Sequence, residues 1–398
     1  MKKTLLAISL SCLLAACGSD SSDDSSNPPS SSLKTGVLTD GPVSNVRYET
    51  SSGVKGSTNV KGEFQYNSGD SVTFYLGDIK LGSAAAQAHI TPIELSAVES
   101  IRTNLLILLQ SLDSDHDHSN GITISDAVIA ALKDKTINLS LPTASFVQDA
   151  TLLQVLQNSG LTLVSEDTAK SNFFNSFIQD STGAWLYEDK ANNIKVVLYI
   201  EGKAPNSSDL NVFNFTFGQI GAADDSGQSG IEQGQLSWNA VNGNLSRTQD
   251  FEVDTNGEWG FSNPSAAASL QYGSTADTLV FKEGDQSFSF KRVNNTSGSL
   301  AGSWQSGSQL VTFFNDGSYM HIETAGNDCS SPGIESGTYT AANGSLKAAS
   351  VAYDTNGCAG LVDSSYNPPS LDTFIYVING STAAIQYENE DPQIFTRF

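Results

Sequence analysis

Reactive side chains are scarce in this chain. Four histidines, four cysteines and two methionines are spread over 398 residues. His89, His116, His118 and His321 fall in three different stretches of sequence, so a hydrolytic triad would have to be assembled across modules. No GxSxG, HExxH or phosphate-binding glycine loop occurs, and no free cysteine stands near a histidine. The reading is therefore of a chain that is not an enzyme. Basic residues are few as well: 20 Lys and Arg stand against 43 Asp and Glu, a net charge of −23. Such a surface repels phosphate backbones and anionic headgroups, which argues against a nucleic-acid partner. Long apolar runs are also missing, since a membrane-spanning helix needs about 18 or more apolar residues in succession and no stretch approaches that.

What is present begins with a leader. Lys2 and Lys3 precede an apolar stretch from Leu5 to Leu14, about ten residues and too short to span a bilayer. Leu14-Ala15-Ala16-Cys17 follows, a tetrapeptide that resembles the bacterial lipobox. The resemblance implies cleavage before Cys17, acylation of its sulfur, and attachment to the membrane through that lipid. Several acyl chains on one residue exceed the two-signal threshold for stable anchoring. Gly18, where an aspartate would suggest inner-membrane retention, makes the outer membrane the expected address. Loss of Lys2 and Lys3 with the leader takes the charge from −23 to −25. Cys12 leaves with the leader and Cys17 carries lipid, so Cys329 and Cys358 remain as an exported pair expected to form a disulfide. Closing that loop would contribute on the order of 3 kcal/mol.

Six segments are expected: leader 1–16, lipidated Cys17 and disordered tether 17–33, β-sandwich 34–95, helical module 96–180, and β-repeats 181–296 and 297–398. Ser19 to Ser32 is nearly all Ser, Asp, Asn and Pro, too polar to offset its ordering entropy. From Thr35 to Leu95 short β-type runs alternate with turns, and the order DGPVSNVRYE, GSTNVKGEFQY, GDSVTFYLG resembles the carboxypeptidase-regulatory or transthyretin-like β-sandwich. Asn59 stands where that family often has aspartate. The resemblance implies an accessory or spacer module. In the helical module Ile101, Leu105, Leu108, Leu109 and Leu112 fall on one face of a helix, and a second helix is expected to start at Ser125. Pro142 interrupts the pattern, and further helices are expected at Asp149 to Gln157 and Ser165 to Ile178.

The last 220 or so residues contain an internal duplication. Trp185 recurs as Trp304, Gly230-Ile231-Glu232 as Gly333-Ile334-Glu335, Gly243 and Leu245 as Gly344 and Leu346. Asp254-Thr255-Asn256-Gly257 recurs as Asp354-Thr355-Asn356-Gly357, and Phe290-Lys291-Arg292 as Phe395-Thr396-Arg397. Each copy carries about eight β-type runs, as at Lys195 to Ile200, Phe213 to Phe217 and Leu310 to Phe314. An eight-stranded antiparallel meander that closes into a barrel removes exposed edges and is the expected form, with an open sandwich as the alternative. The tryptophan-first, arginine-last layout resembles lipocalin-type barrels, which implies that those two residues pack at a closed end. The fold class is thus mainly β with one helical module: a small sandwich, a helical segment and two repeated barrel-like domains.

Asp113-Ser114-Asp115-His116-Asp117-His118-Ser119-Asn120-Gly121-Ile122 resembles an EF-hand or dockerin-type calcium loop. Calcium takes six to eight oxygen ligands, and the resemblance implies Asp113, Asp115, Asp117, Asn120, the carbonyl near Ile122 and Asp126 as the set. His118 stands where an EF-hand has glycine, and Ile124 occupies the slot of the bidentate glutamate. A solvated acidic turn that caps the Ser125 helix, and transition-metal capture by His116 and His118, are the alternatives. The two DTNG segments read as hairpin turns, and Glu232 and Glu335 as structural carboxylates.

Three functions stay open on the sequence. One is a membrane-anchored envelope lipoprotein of binding or adhesion type, with Trp238, Trp259 and Tyr319 among the contact aromatics. The second is a periplasm-facing carrier whose lipocalin-like barrels hold a small ligand, which predicts a cavity at a barrel mouth. The third is an envelope enzyme acting on glycan or peptide, which predicts converging carboxylates in a cleft.

Overall fold

The computed structural model describes residues 33–205, 211–221, 229–248, 252–257, 260–262, 264–326 and 331–398. The leader, Cys17, the tether, Trp259 and Cys329 lie outside them, and with Cys329 one end of the expected disulfide.

Two small sheets face each other at the start of the described chain. Lys34–Leu38 pairs antiparallel with Glu63–Tyr66 and parallel with His89–Ile90. Opposite it, Lys55–Ser57, Arg47–Thr50, Ser71–Leu76 and Ile79–Ala85 form an antiparallel four-stranded sheet. Ser71–Leu76 alternates strictly, with Val72, Phe74 and Leu76 inward and buried, as a strand with one solvated face requires. Phe74 meets Phe64 of the other sheet edge-on, ring centroids 5.2 Å apart. Asn59 does the work of an aspartate at its turn, since its Oδ1 accepts from Lys61 N and Glu63 N.

Six helices follow among the described residues: α1 (Pro92–Leu95), α2 (Glu99–Ser111), α3 (Asp126–Leu132), α4 (Thr143–Phe146), α5 (Ala150–Ser159) and α6 (Glu166–Ser181). Ser125, Asp149 and Ser165 cap α3, α5 and α6 by accepting from Val128 N, Leu152 N and Thr168 N. The α4 helix starts directly after Pro142, where the apolar pattern breaks. The α2 helix differs from its one-faced expectation. Every residue from Thr103 to Ser111 is buried, and its amide side chains bond inside: Asn104 Nδ2 donates to Leu139 O and Leu141 O, and Gln110 Nε2 to Asp40 and Ala169 O.

Each repeat is an eight-stranded antiparallel meander. The first runs Gly183–Asp189, Ile194–Lys203, Val212–Ile220, Gly230–Trp238, Leu245–Arg247, Ala268–Tyr272, Thr278–Glu283 and Gln286–Arg292. The last strand pairs back with the first, and a bridge between Asn244 and Ser269 joins the remaining gap. In the second repeat Gly302–Ser306 through Gln393–Arg397 close into a barrel. Tryptophan and arginine are register partners in both, Trp185 with Arg292 and Trp304 with Arg397. The guanidinium carbons lie 4.1 and 3.7 Å from the ring centroids. Each indole also donates to the carbonyl four residues before it, Ser181 O and Leu300 O. Arg292 ties down the carbonyls of Asp180 and Thr182, and Arg397 those of Thr296, Ser299 and Ala301.

Residues Leu33–Phe398 form one compact unit. The sandwich, the helices and the first barrel share a single continuous core. Phe177 of α6 stacks on Trp238 at 4.2 Å, with Phe173 edge-on to it. The helical segment is therefore a packed layer against the first barrel. The two barrels meet through outward-facing apolar residues: Val197, Tyr199 and Ile231 of the first and Leu310, Met320, Ile322 and Ile334 of the second form one buried cluster. Among the described residues no helix is long and apolar enough to cross a membrane.

Candidate functional site

The acidic loop is held by the sandwich. Ile122–Thr123 pairs in parallel with Val43–Ser44, Ile122 N donates to Pro42 O, and Ser44 Oγ donates to Ile122 O at 3.3 Å. The loop carboxylates turn to their own backbone. Asp113, buried, accepts from Thr123 N; Asp115 accepts from Asp117 N and Asn120 Nδ2; Asp117 accepts from Ser119 N. Asp126, in the first turn of α3, accepts from Asn45 Nδ2. Burial raises the Asp113 carboxyl above its ordinary range, and the neighbouring Asp115 adds to the effect. Among the described residues no group of three or more His, Cys, Asp or Glu side chains is placed to hold a metal ion. His118 points away from the loop: its Nε2 lies 2.6 Å from Asp40 O and 3.5 Å from Asp40 Oδ1. Burial alone would push this imidazole down, but hydrogen bonding and the charge of Asp40 outweigh it and raise it.

The duplicated glutamates lie inside the barrels, fully buried, on the faces that carry Leu236 and Tyr339. Glu232 accepts from Phe261 N (2.7 Å), Ser262 N and Ser262 Oγ. Glu335 accepts from Leu361 N (2.9 Å) and Tyr319 Oη (2.6 Å). Burial pushes their carboxyls up to about 7 and about 8 respectively, against the pull of those hydrogen bonds. The DTNG segments differ accordingly from two-residue hairpin turns. Each opens a longer loop, and the residues beyond it are drawn in by the glutamate. Thr255 Oγ1 and Thr355 Oγ1 fasten its start by accepting from Ile231 N and Ile334 N. Gly260 (φ +90) and Gly360 (φ +102) pass so close that an added Cβ would lie 2.5 and 2.7 Å from Oε2 of Glu232 and Glu335. Only glycine tolerates both that conformation and that approach.

A cavity opens at the corresponding end of each barrel, away from the tryptophan–arginine pair. In the first barrel it measures about 300 Å³ and its walls are aromatic: Tyr187, Phe217, Phe261, Phe281, Phe288 and Phe290. Asp189 and Glu283 stand among its lining residues. In the second it measures about 460 Å³. Register equivalence relates the walls, because Leu198 pairs with Phe217 as Val311 pairs with His321, and Phe281 pairs with Phe288 as Ile385 pairs with Gln393. His321 thus replaces Phe217, Leu361 replaces Phe261, and Gln393 replaces Phe288. The second mouth adds Asp363, Asp372, Glu390 and Asp391, and among the described residues its lining contains no Lys or Arg.

Sequence reasoning did not pick out these mouth residues. Their signal was available in the duplication itself: aligned on the tryptophan, GIE and arginine blocks, the repeats differ most where aromatic residues of the first meet polar ones of the second. Of the aromatics expected to make contacts, Trp238 and Tyr319 are buried. Compared with known proteins, the chain matches no family model and no curated sequence.

Proposed function

We propose that this chain is a lipid-anchored envelope protein that binds small ligands in the mouths of its two barrels, attached to the outer membrane through Cys17. One observation carries the reading: two barrels built to the same plan keep a cavity at the same end, each within or near the range of small-molecule sites. The opposite end is filled by the tryptophan–arginine pair, so a ligand enters from one side only. Trp238 and Tyr319 are buried and so supply no contacts to an adhesion surface. The missing catalytic motifs fit binding better than turnover. The Cys329–Cys358 disulfide and a calcium-filled acidic loop belong to the same proposal as stabilising features.

The first barrel is suited to an apolar ligand, since half of its lining residues are aromatic and Ile194 and Val196 join them. Native mass spectrometry of protein purified from membranes should read both a diacylglyceryl adduct on Cys17 and copurifying small molecules. On the same protein, the neutral fluorophore N-phenyl-1-naphthylamine should bind saturably. Phe288→Glu, which sets a charge in the apolar wall, should weaken it by on the order of tenfold or more. Absence of both adduct and saturable binding would remove the reading.

A further inference from the structure

The second mouth is chemically unlike the first, and one atom in it is conspicuous. His321 is only 3% exposed, lines the cavity, and its Nε2 has no hydrogen-bond partner among the described residues. A buried polar atom without a partner is destabilising, so a group that meets it from the cavity would be favoured. The kind of group follows from the other ring nitrogen. The Asn356 amide is satisfied with its nitrogen donating to Asp354 Oδ1 (2.9 Å) and Ala359 O (3.2 Å), and its oxygen accepting from His321 Nδ1 at 2.9 Å. The proton therefore sits on Nδ1, and Nε2 offers a lone pair. Burial pushes the imidazole down to about 4, which keeps that lone pair free near neutral pH. The inner end of the cavity asks for a donor, an N–H or O–H.

The remaining walls add two requirements. Val311, Phe313, Ile385 and Phe395 are apolar and call for an apolar body. The carboxylates of Asp363, Asp372, Glu390 and Asp391 share the lining, and no Lys or Arg stands among its described residues. Two of them press on each other: Asp372 is raised by burial, and the charge of Asp363 adds to that. A negative ligand would be repelled, while a positive one would relieve the crowding.

Resting on the reading of the barrel mouths as ligand sites, we infer that the second barrel takes a small amphipathic organic amine: its apolar body lies in the barrel, a donor group meets His321 Nε2, and its positive charge lies among the four mouth carboxylates. The first barrel, with phenylalanine in place of the histidine, takes an uncharged apolar ligand, so one chain would carry two ligand classes.

Calorimetric titration of the full mature chain tests this with tryptamine and indole-3-propionate, which share a ring and an N–H and differ in the sign of their charge. Tryptamine should bind and the propionate should not. His321→Phe, which installs the first barrel's own residue, should weaken tryptamine about tenfold, the equivalent of one buried hydrogen bond. Asp363→Asn with Asp372→Asn should weaken it too and flatten its salt dependence. Equal binding of the propionate, or an unchanged tryptamine affinity in His321→Phe, would overturn the inference. If N-phenyl-1-naphthylamine occupies the first barrel while neither indole binds, the amine inference falls and the ligand-carrier reading stands. If no probe binds, both fall.

Discussion

The buried glutamates are the most informative single residues. A carboxyl whose folded value lies above its ordinary one keeps its proton where the unfolded chain has lost it. For Glu335 that window runs from the ordinary 4.5 up to about 8. Across it the folded state binds more protons, so stability falls as pH rises. Glu335→Gln keeps an acceptor for Leu361 N and removes the titration. Urea midpoints of the parent should therefore decline from about pH 5 to pH 8 relative to the variant; parallel profiles would show that the carboxyl titrates normally. The sequence marked Glu232 and Glu335 by repetition and pointed to a structural use. It could not reveal which amides they bind, because Phe261, Ser262 and Leu361 lie about 30 residues further on. Asn256 and Asn356, which read as turn residues, are fully buried.

Secondary-structure elements were far more legible, for a local reason. Caps at Ser125, Asp149 and Ser165, the break at Pro142 and the alternation of Ser71–Leu76 are all written within a few residues of where they act. The meander was legible because each strand pairs with its sequence neighbour. What escaped was the traffic between elements that are remote in sequence. The acidic segment looked like a self-contained ion loop. In the fold it is a joint, with Ile122–Thr123 added beside Val43–Ser44 and His118 seated on Asp40. Asp40 is wholly buried and also accepts from Gln110 of α2, so the pair links sandwich, loop and helix. His118→Leu leaves that carboxylate without its cation and should cost about 3 kcal/mol in chemical denaturation. The folded imidazole is raised above its ordinary 6.5. Burial raises the Asp40 carboxyl as well, so the pair contributes where Asp40 is ionised and the imidazole protonated, and that contribution is lost as pH climbs through the folded imidazole value. The gap between parent and variant should narrow on going from acid to alkaline buffer; a gap that widens would exclude the ion pair as its source.

At the scale of the molecule the modules are less separable than their sequence boundaries suggest. One core runs from the sandwich through the helices into the first barrel, and the second barrel covers Val197, Tyr199 and Ile231 on the outside of the first. Tyr199 Oη is also 2.6 Å from Thr312 Oγ1 across that seam. A chain ended at residue 296 would uncover this apolar face, which free monomers rarely expose. It should self-associate in size-exclusion chromatography with light scattering, and a well-behaved monomer would mean that the barrels pack weakly.

The seam also bears on how the two halves came to differ. Gly218 pairs with Val197 and Ile231, and Ile322 pairs with Leu310 and Ile334, so glycine and isoleucine hold the same place in the two copies. They press on each other: a Cβ on Gly218 would collide with the Ile322 side chain. Two identical first halves would leave a hole at this point, and two identical second halves would set isoleucine against isoleucine. Once that knob and its socket had arisen, neither half could stand in for the other. Each half is fitted to the other and not to a copy of itself, so the joint makes the chain a built-in pair of unlike partners.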